Sequence, residues 1–153
     1  MNRGAGISGV ATALLLSLAA GASAQPPRQP ADAERDYVLH CRGCHGVDGT
    51  GIAHRVPAVR GSLPAFMRIS DGREFVLRVP GAANSRLSDA ALAAVLNWMA
   101  ATFAGDELGP DPQWFSAAEV TASRGRPLLG VRSVRRELVR QLAASGIRVV
   151  EDY

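Results

Sequence analysis

The sequence contains no lysine, only two cysteines and three histidines, and few aromatic residues. All 17 basic residues of the 153-residue chain are arginines, which excludes a docking surface built from a ring of lysines. Aromatic residues make up 5% of the chain and leave few large side chains to fill a core. No Ser-His-Asp order and no paired-carboxylate motif of the kind used in acid–base catalysis stands out.

Long apolar runs are also scarce, and the one that exists lies at the N-terminus. Arg3 precedes a mostly apolar run over residues 10–20, and an A-x-A cleavage motif follows at residues 22–24. The run is too short to span a bilayer comfortably, which disfavours a membrane anchor. We therefore predict a signal peptide over residues 1–24, cleavage before Gln25, export to the periplasm, and a mature chain without a transmembrane segment.

Charge is distributed unevenly along the rest of the chain. Without residues 1–24 the chain has 16 arginines and 14 acidic residues, a balance that makes nucleic acid an unexpected partner for an exported protein. Residues 124–148 carry a local charge of +6, whereas residues 25–123 carry −2. We interpret the basic segment as the solvated face of a helix. A docking strip for an acidic partner and a contact with anionic lipid are the alternatives.

Hydrophobic periodicity and turn residues predict an all-α chain of short helices. Residues 25–30 form a Pro-rich spacer, residues 46–61 are rich in glycine and proline and predict a loop, and residues 109–112 resemble a linker. The predicted helices, in chain order, cover residues 31–40, residues 70–79, residues 89–103, a short segment that begins at Ser116, and residues 131–145.

The helix over residues 89–103 has the clearest signal, because Ser88 is a good N-cap and apolar residues recur at helical spacing. This apolar stripe consists of Leu92, Val95, Leu96, Met99 and Phe103. Ser70 is the expected cap of the second helix, Pro80 and Gly81 are expected to end it, and Gly105 is expected to end the third. The last helix is expected to pack on the domain through Val134, Leu138 and Leu142.

Both cysteines belong to one motif, C-R-G-C-H at residues 41–45. C-x-x-C-H is the attachment signature of c-type haem. The two thiols add to the haem vinyl groups, the two intervening residues set their separation, and the histidine that follows reaches the iron. We predict that Cys41 and Cys44 hold one haem c covalently and that His45 is the proximal ligand of its iron.

Two other chemistries use cysteines at this spacing. A thioredoxin-type redox disulfide usually begins a helix after a strand, whereas this motif follows a predicted helix and leads into a glycine-rich loop. A zinc knuckle needs four ligands, and the chain has only two cysteines.

The motif and its surroundings resemble the class I bacterial cytochromes c. The matching residues are D-Y at positions 36–37, the C-x-x-C-H-G run, D-G-x-G at positions 48–51, and L-S-D at positions 87–89, which leads into A-V-L-N-W-M at positions 94–99. The resemblance spans residues 31–103 and implies a class I cytochrome c-like fold around one covalent haem, in which the first and last helices pack together with Trp98 between them.

The resemblance divides the chain into a cytochrome c domain over residues 31–105 and a C-terminal helical basic extension over residues 106–153. Class I cytochromes normally bind the far side of the iron with a methionine in the loop before the last helix, often followed by proline. Here Val79 occupies that position before a proline, and a valine cannot bind iron.

Five possibilities for the far side of the iron therefore have to be weighed. Met67 is the tentative distal ligand. Met99 fits the apolar stripe and is expected in the core. His54 would give bis-histidine ligation, and His40 is poorly placed to reach the distal side. The last alternative is an iron without a sixth protein ligand, open to small molecules.

The resemblance implies an electron carrier, not an enzyme. Its partners would be periplasmic redox proteins, with a dehydrogenase as donor and an oxidase or other protein as acceptor. The alternatives are a haem-based gas or redox sensor with an open iron, a minor peroxidase in which His54 supplies the acid–base group, and a subunit that docks permanently through residues 106–153.

Overall fold

The structure is a computed structural model that describes Met1 and residues 30–149. The predicted signal peptide after Met1 and residues 25–29 of the predicted spacer lie outside the described residues, whereas Pro30, the last residue of that spacer, begins the first helix. In the described part, regular structure is helical, and the only β contact is an isolated bridge between Ile52 and Val56. The all-α prediction is confirmed for this part of the chain.

The helices follow one another with short connections. In chain order they are α1 (Pro30–His40), α2 (Arg42–His45), α3 (Leu63–Met67), α4 (Ser70–Arg78), α5 (Pro80–Ala83), α6 (Asp89–Phe103), α7 (Ala117–Ser123) and α8 (Val131–Ala144), with a 3-10 turn over Gly105–Leu108 between α6 and α7. None of the described helices is long and apolar enough to cross a membrane.

Helices α1 and α6 pack against each other through three aromatic rings. The ring of Tyr37 on α1 lies 5.1 Å from that of Trp98 and 5.3 Å from that of Phe103, both on α6. The rings of Trp98 and Phe103 are 5.6 Å apart and meet edge to face. Such pairs contribute beyond the area they bury. Trp98 therefore has the helix-packing position that was expected of it.

Helix α6 matches its prediction closely. Its apolar stripe is buried throughout, and the hydroxyl of Ser88 accepts a hydrogen bond from the backbone N–H of Ala91 at 3.2 Å. This contact is the N-cap interaction expected of a serine at the start of a helix. The helix ends at Phe103, and Gly105 begins the 3-10 turn that follows.

The segment between the loop and α6 differs from its prediction in three ways. Helix α3 was not predicted, because five residues are too few to show a helical period and all five are buried. Ser70 is the first residue of α4 rather than its cap, and the capping position belongs to Ile69. Pro80 does end α4, but it also begins α5. Proline suits a first helical position because its missing N–H would have no partner there.

The C-terminal segment shares the core of the rest of the molecule. Leu138 and Leu142 of α8 are buried, and Val134 is partly buried in the same cluster, which confirms the predicted packing face. Phe115 belongs to this cluster too. The side chain of Asn97 on α6 donates to the Phe115 carbonyl at 2.9 Å and accepts from its N–H at 2.8 Å, so α6 holds the segment by its backbone.

Arginines reinforce this attachment. The Arg73 guanidinium on α4 donates to both carboxylate oxygens of Glu119, at 2.7 and 2.6 Å, and lies 4.5 Å from the centroid of the Phe115 ring. Arg124 donates to Asp89 at 3.0 Å. We interpreted the basic segment as a solvated helix face. Arg136 on α8 is exposed and agrees with that interpretation. Arg124 does not agree with it, because its side chain is only 15% exposed.

We expect Gly72→Ala to destabilise the chain by about 1–3 kcal/mol, the usual cost of overpacking. A Cβ at Gly72 would lie 2.4 Å from the backbone carbonyl oxygen of Phe66, which cannot move without displacing α3. The free energy of unfolding from denaturant titration measures the effect. Gly125→Ala is the control, because nothing lies within 4 Å of the place that a Cβ would take there. Equal stability of the two variants would contradict the close packing of α3 on α4.

Candidate functional site

In the C-x-x-C-H motif, Cys41 lies at the break between α1 and α2, and α2 adds one short helical turn that ends at His45. The backbone N–H of Cys41 donates to the Tyr37 carbonyl at 2.9 Å, and the N–H groups of Cys44 and His45 donate to the Cys41 carbonyl at 3.1 and 3.0 Å. Residues three apart on a helix lie on the same side. The backbone therefore holds both thiols on one side of the turn.

The two cysteines differ in environment. Both are free, Cys41 partly buried and Cys44 exposed. Burial raises the pKa of the Cys41 thiol to about 11, and the nearby Asp36 and Cys44 act in the same direction. In redox-active C-x-x-C motifs the attacking thiol instead has a lowered pKa. The environment of Cys41 thus does not activate Cys41 as the attacking thiol of a redox pair.

The surroundings of His45 favour its neutral imidazole form. Burial lowers its pKa, and an interaction with the backbone of Pro57 partly offsets this effect. Its Nδ1 is buried and has no hydrogen bond of ordinary geometry within the described residues. The neutral form is the one that binds a metal, and a ligating histidine usually donates its second N–H to a backbone carbonyl or carboxylate.

The loop after the motif folds back tightly and brings Pro57 to His45. The Tyr37 hydroxyl donates to the Gly46 carbonyl at 2.6 Å, which ties the start of the loop to α1. Gly51 has a φ of +74°, and a Cβ there would lie 2.3 Å from the Val56 carbonyl oxygen. Only glycine fits such a position without strain.

The motif residues lie in the wall of a cavity of about 420 Å³. Cys41, Cys44 and His45 line it together with side chains from α3 to α6 and from α8. Its volume falls within the range of ligand-binding pockets. Most of the lining is apolar, including Leu63, Phe66, Phe75, Leu92, Val95 and Leu96.

The candidates for the distal ligand differ in whether they line the cavity. Met67 does not line the cavity: it is 5% exposed, packed in the core, and borders a separate depression beside Leu108. His54 is exposed in the loop and does not line the cavity either. Met99, expected in the core, is 3% exposed and does line the cavity. Val79 lines it as well.

Two cavity residues come from the C-terminal segment, and sequence reasoning missed both. Val131 and Arg135 on α8 line the cavity, and Arg135 is 3% exposed. Their spacing of one helical turn places them on one face. Nothing in the sequence says that this face turns toward the motif, since the two segments are distant along the chain.

Comparison with protein-family models, with curated proteins and with solved structures finds no match to this chain. Among the described residues, no three His, Cys, Asp or Glu side chains are grouped so as to hold a metal ion by themselves.

In the haem-free chain we expect Cys44 to be alkylated well before Cys41. Cys44 is exposed, whereas Cys41 is partly buried with a pKa of about 11, and the thiolate is the reactive form. Mass spectrometry after timed treatment with iodoacetamide measures the order, and Cys41→Ser and Cys44→Ser assign the sites. Faster alkylation of Cys41 would indicate an activated thiol and revive the redox-disulfide alternative.

Proposed function

We propose that this chain is a monohaem c-type cytochrome of the class I type that transfers single electrons between periplasmic redox partners. One observation carries the proposal: the three residues of a haem-attachment motif line the same apolar cavity, inside a helical fold. The packing of α1 against α6 through Tyr37 and Trp98 supports the resemblance to that family.

The residues of the cavity fit haem c. Cys41 and Cys44 would form the thioethers, and both are free thiols on one turn of helix. His45 would hold the iron as a neutral imidazole, and the buried imidazole interacts with the backbone of Pro57, the kind of group to which a ligating histidine donates its second N–H. When bound, the haem supplies one-electron chemistry at its iron, while the protein provides burial and orientation.

Two features of the cavity bear on its chemistry: its apolar lining and the position of His54 outside it. Side chains such as Phe66, Phe75 and Leu96 give the cavity a mostly apolar lining, and burial in a low-dielectric surrounding is one of the means by which a protein tunes a reduction potential. His54 lies away from the cavity, so the peroxidase alternative loses the acid–base group on which it depended. These features favour electron transfer over peroxide chemistry.

A sensor with an open iron is a second candidate, favoured by the placement of the methionines. Neither Met67 nor His54 lines the cavity, and Val79 lies in its wall. Met99 is the one thioether among the lining residues of the described chain. His40, which the sequence places poorly for the distal side, also lines the cavity. The function therefore depends on whether Met99, or His40, binds the iron, which would close the site to small molecules.

The proposed function predicts that haem is attached covalently through Cys41 and Cys44. We expect the full chain, produced with a cytochrome c maturation system, to retain haem through denaturing electrophoresis, because thioether bonds survive unfolding. The double variant Cys41→Ala, Cys44→Ala should lose all covalent haem. His54→Ala is the matched control and should keep it, since His54 is exposed outside the cavity. A wild-type chain without covalent haem would refute the proposed function.

A separate prediction concerns the distal side of the haem iron, where Met67 was the tentative ligand. We expect Met67→Leu to leave the visible spectrum of the reduced protein, and its response to carbon monoxide, unchanged, because Met67 lies outside the cavity. A change in that variant would mean that Met67 reaches the iron.

The response of the wild-type spectrum to carbon monoxide then decides between the two candidate functions, electron carrier and sensor. A spectrum that ignores the gas, and becomes sensitive in Met99→Leu, supports a six-coordinate carrier with Met99 as ligand. A spectrum that shifts fully in the wild type supports the sensor.

A further inference from the structure

One stretch of the cavity wall has no thioether or imidazole side chain. Residues 79–85, which we call the 79–85 wall, contain α5 and lie just before α6. The members that line the cavity are Val79, Pro80, Gly81, Ala82 and Ser85. The 79–85 wall can therefore enclose a cofactor but cannot bind its iron as a methionine or histidine would.

The middle of this wall is weakly held by its own contacts. Helix α5 covers only Pro80–Ala83, and a single helical turn is not stable by itself. Pro80 and Gly81 are exposed, and no described atom lies within 4 Å of the place that a Cβ would take at Gly81. The position of the wall therefore depends on the contacts at its two ends.

Arg124 of the C-terminal segment holds the far end of the wall. Its guanidinium donates to the carbonyl oxygens of Ala83 at 3.4 Å and Leu87 at 2.8 Å, and also to that of Ser85. It donates as well to the carboxylate of Asp89, the first residue of α6, at 3.0 Å. A guanidinium presents five N–H donors in a rigid fork. This one, on a side chain that is 15% exposed, binds backbone carbonyls of alternate residues.

The same C-terminal segment holds the near end of the wall. The Leu128 N–H donates to the Arg78 carbonyl at 2.9 Å, and the Arg78 guanidinium donates to the Arg126 carbonyl at 2.7 Å. Arg78 is the last residue of α4 and directly precedes Val79. Residues 124–128 therefore hold the 79–85 wall at both ends.

We propose that Arg124 is a positioning residue of the candidate haem site: it holds the 79–85 wall closed and so limits the access of small uncharged molecules to the iron. The inference rests on the proposed function and deepens it, because it concerns which ligands reach that same site. It gives the C-terminal segment, which lies outside the part of the chain that resembles cytochromes, control of access to the cofactor.

Two variants of Arg124 separate its carbonyl contacts from its charge. Arg124→Gln removes both the charge and the fork of donors. Arg124→Lys keeps a charge for Asp89 but loses the planar fork. Arg73→Gln is the matched control, because the Arg73 side chain is 16% exposed and also attaches the C-terminal segment. Its hydrogen bonds go to residues 113–119 and not to the wall.

Hydrogen exchange of backbone amides in the full chain, produced with the maturation system, tests whether Arg124 holds the wall. The N–H groups of residues 82–85 all donate within the wall, so their exchange reports its local opening. We expect exchange about tenfold faster or more in both Arg124 variants, the usual effect of losing hydrogen bonds to a charged group. Amides in the middle of α6 should exchange as in the wild type.

The control decides whether this effect is specific. Arg73→Gln should leave the exchange of residues 82–85 close to that of the wild type. Equal acceleration in Arg73→Gln, or acceleration of the wall and α6 together, would mean that Arg124 has only a general structural role. Unchanged exchange at residues 82–85 in both Arg124 variants would overturn the inference. If Arg124→Gln does not fold, Arg124→Lys carries the test.

Flash photolysis of the carbon monoxide complex measures access to the iron in the reduced, haem-loaded chain. The Met99→Leu background is used throughout, so that Met99 does not compete for the iron. We expect faster rebinding of carbon monoxide from solution in both Arg124 variants, and an unchanged rate in Arg73→Gln. Equal rates, or no carbon monoxide binding in any of these chains, would overturn the role of Arg124 in access.

This inference and the proposed function can fail separately. Exchange at residues 82–85 reports on Arg124 whether or not the chain carries haem. A chain that carries covalent haem but shows unchanged exchange in the Arg124 variants overturns the inference alone. A chain without covalent haem overturns the proposed function.

Discussion

The position of Tyr37 between two rings of α6 is the contact on which the candidate site depends. Tyr37 is 2% exposed and packs on Trp98 and Phe103, so it joins α1 to α6. Its hydroxyl also donates to the Gly46 carbonyl, and its carbonyl accepts from Cys41. Through its side chain and its backbone carbonyl, Tyr37 thereby contacts α6, the turn that carries both thiols, and the start of the loop that reaches His45.

Several short helices surround the motif, and together they form the wall of the cavity. Packed cores contain few voids larger than a water molecule, whereas this cavity measures about 420 Å³ and has walls from α3 to α6 and from α8. Short elements can surround a large ligand on several sides, and a ligand that binds only the folded chain stabilises it. The low aromatic content is consistent with a fold in which a large ligand, rather than side chains, fills the centre.

The basic C-terminal segment combines two roles. Arg124 and the partners of Arg73 attach it to α6 and α4, while Arg135 extends into the cavity wall. Exposed arginines such as Arg136 stay on the outer face of α8. A net local charge therefore says little about the function of such a segment, because neighbouring arginines on one helix differ in burial and in what they contact.

Features that depend on local spacing could be predicted from the amino-acid sequence. The C-x-x-C-H motif, the capped helix α6 and the packing face of α8 are recognisable from residue types at fixed intervals, and the helix and the packing face are present as expected. The short helix α3 escaped prediction because five buried residues carry no period. Which methionine borders the cavity, and that Arg135 borders it too, is visible only in the folded chain. Both depend on how helices distant along the chain pack together, which local patterns do not encode.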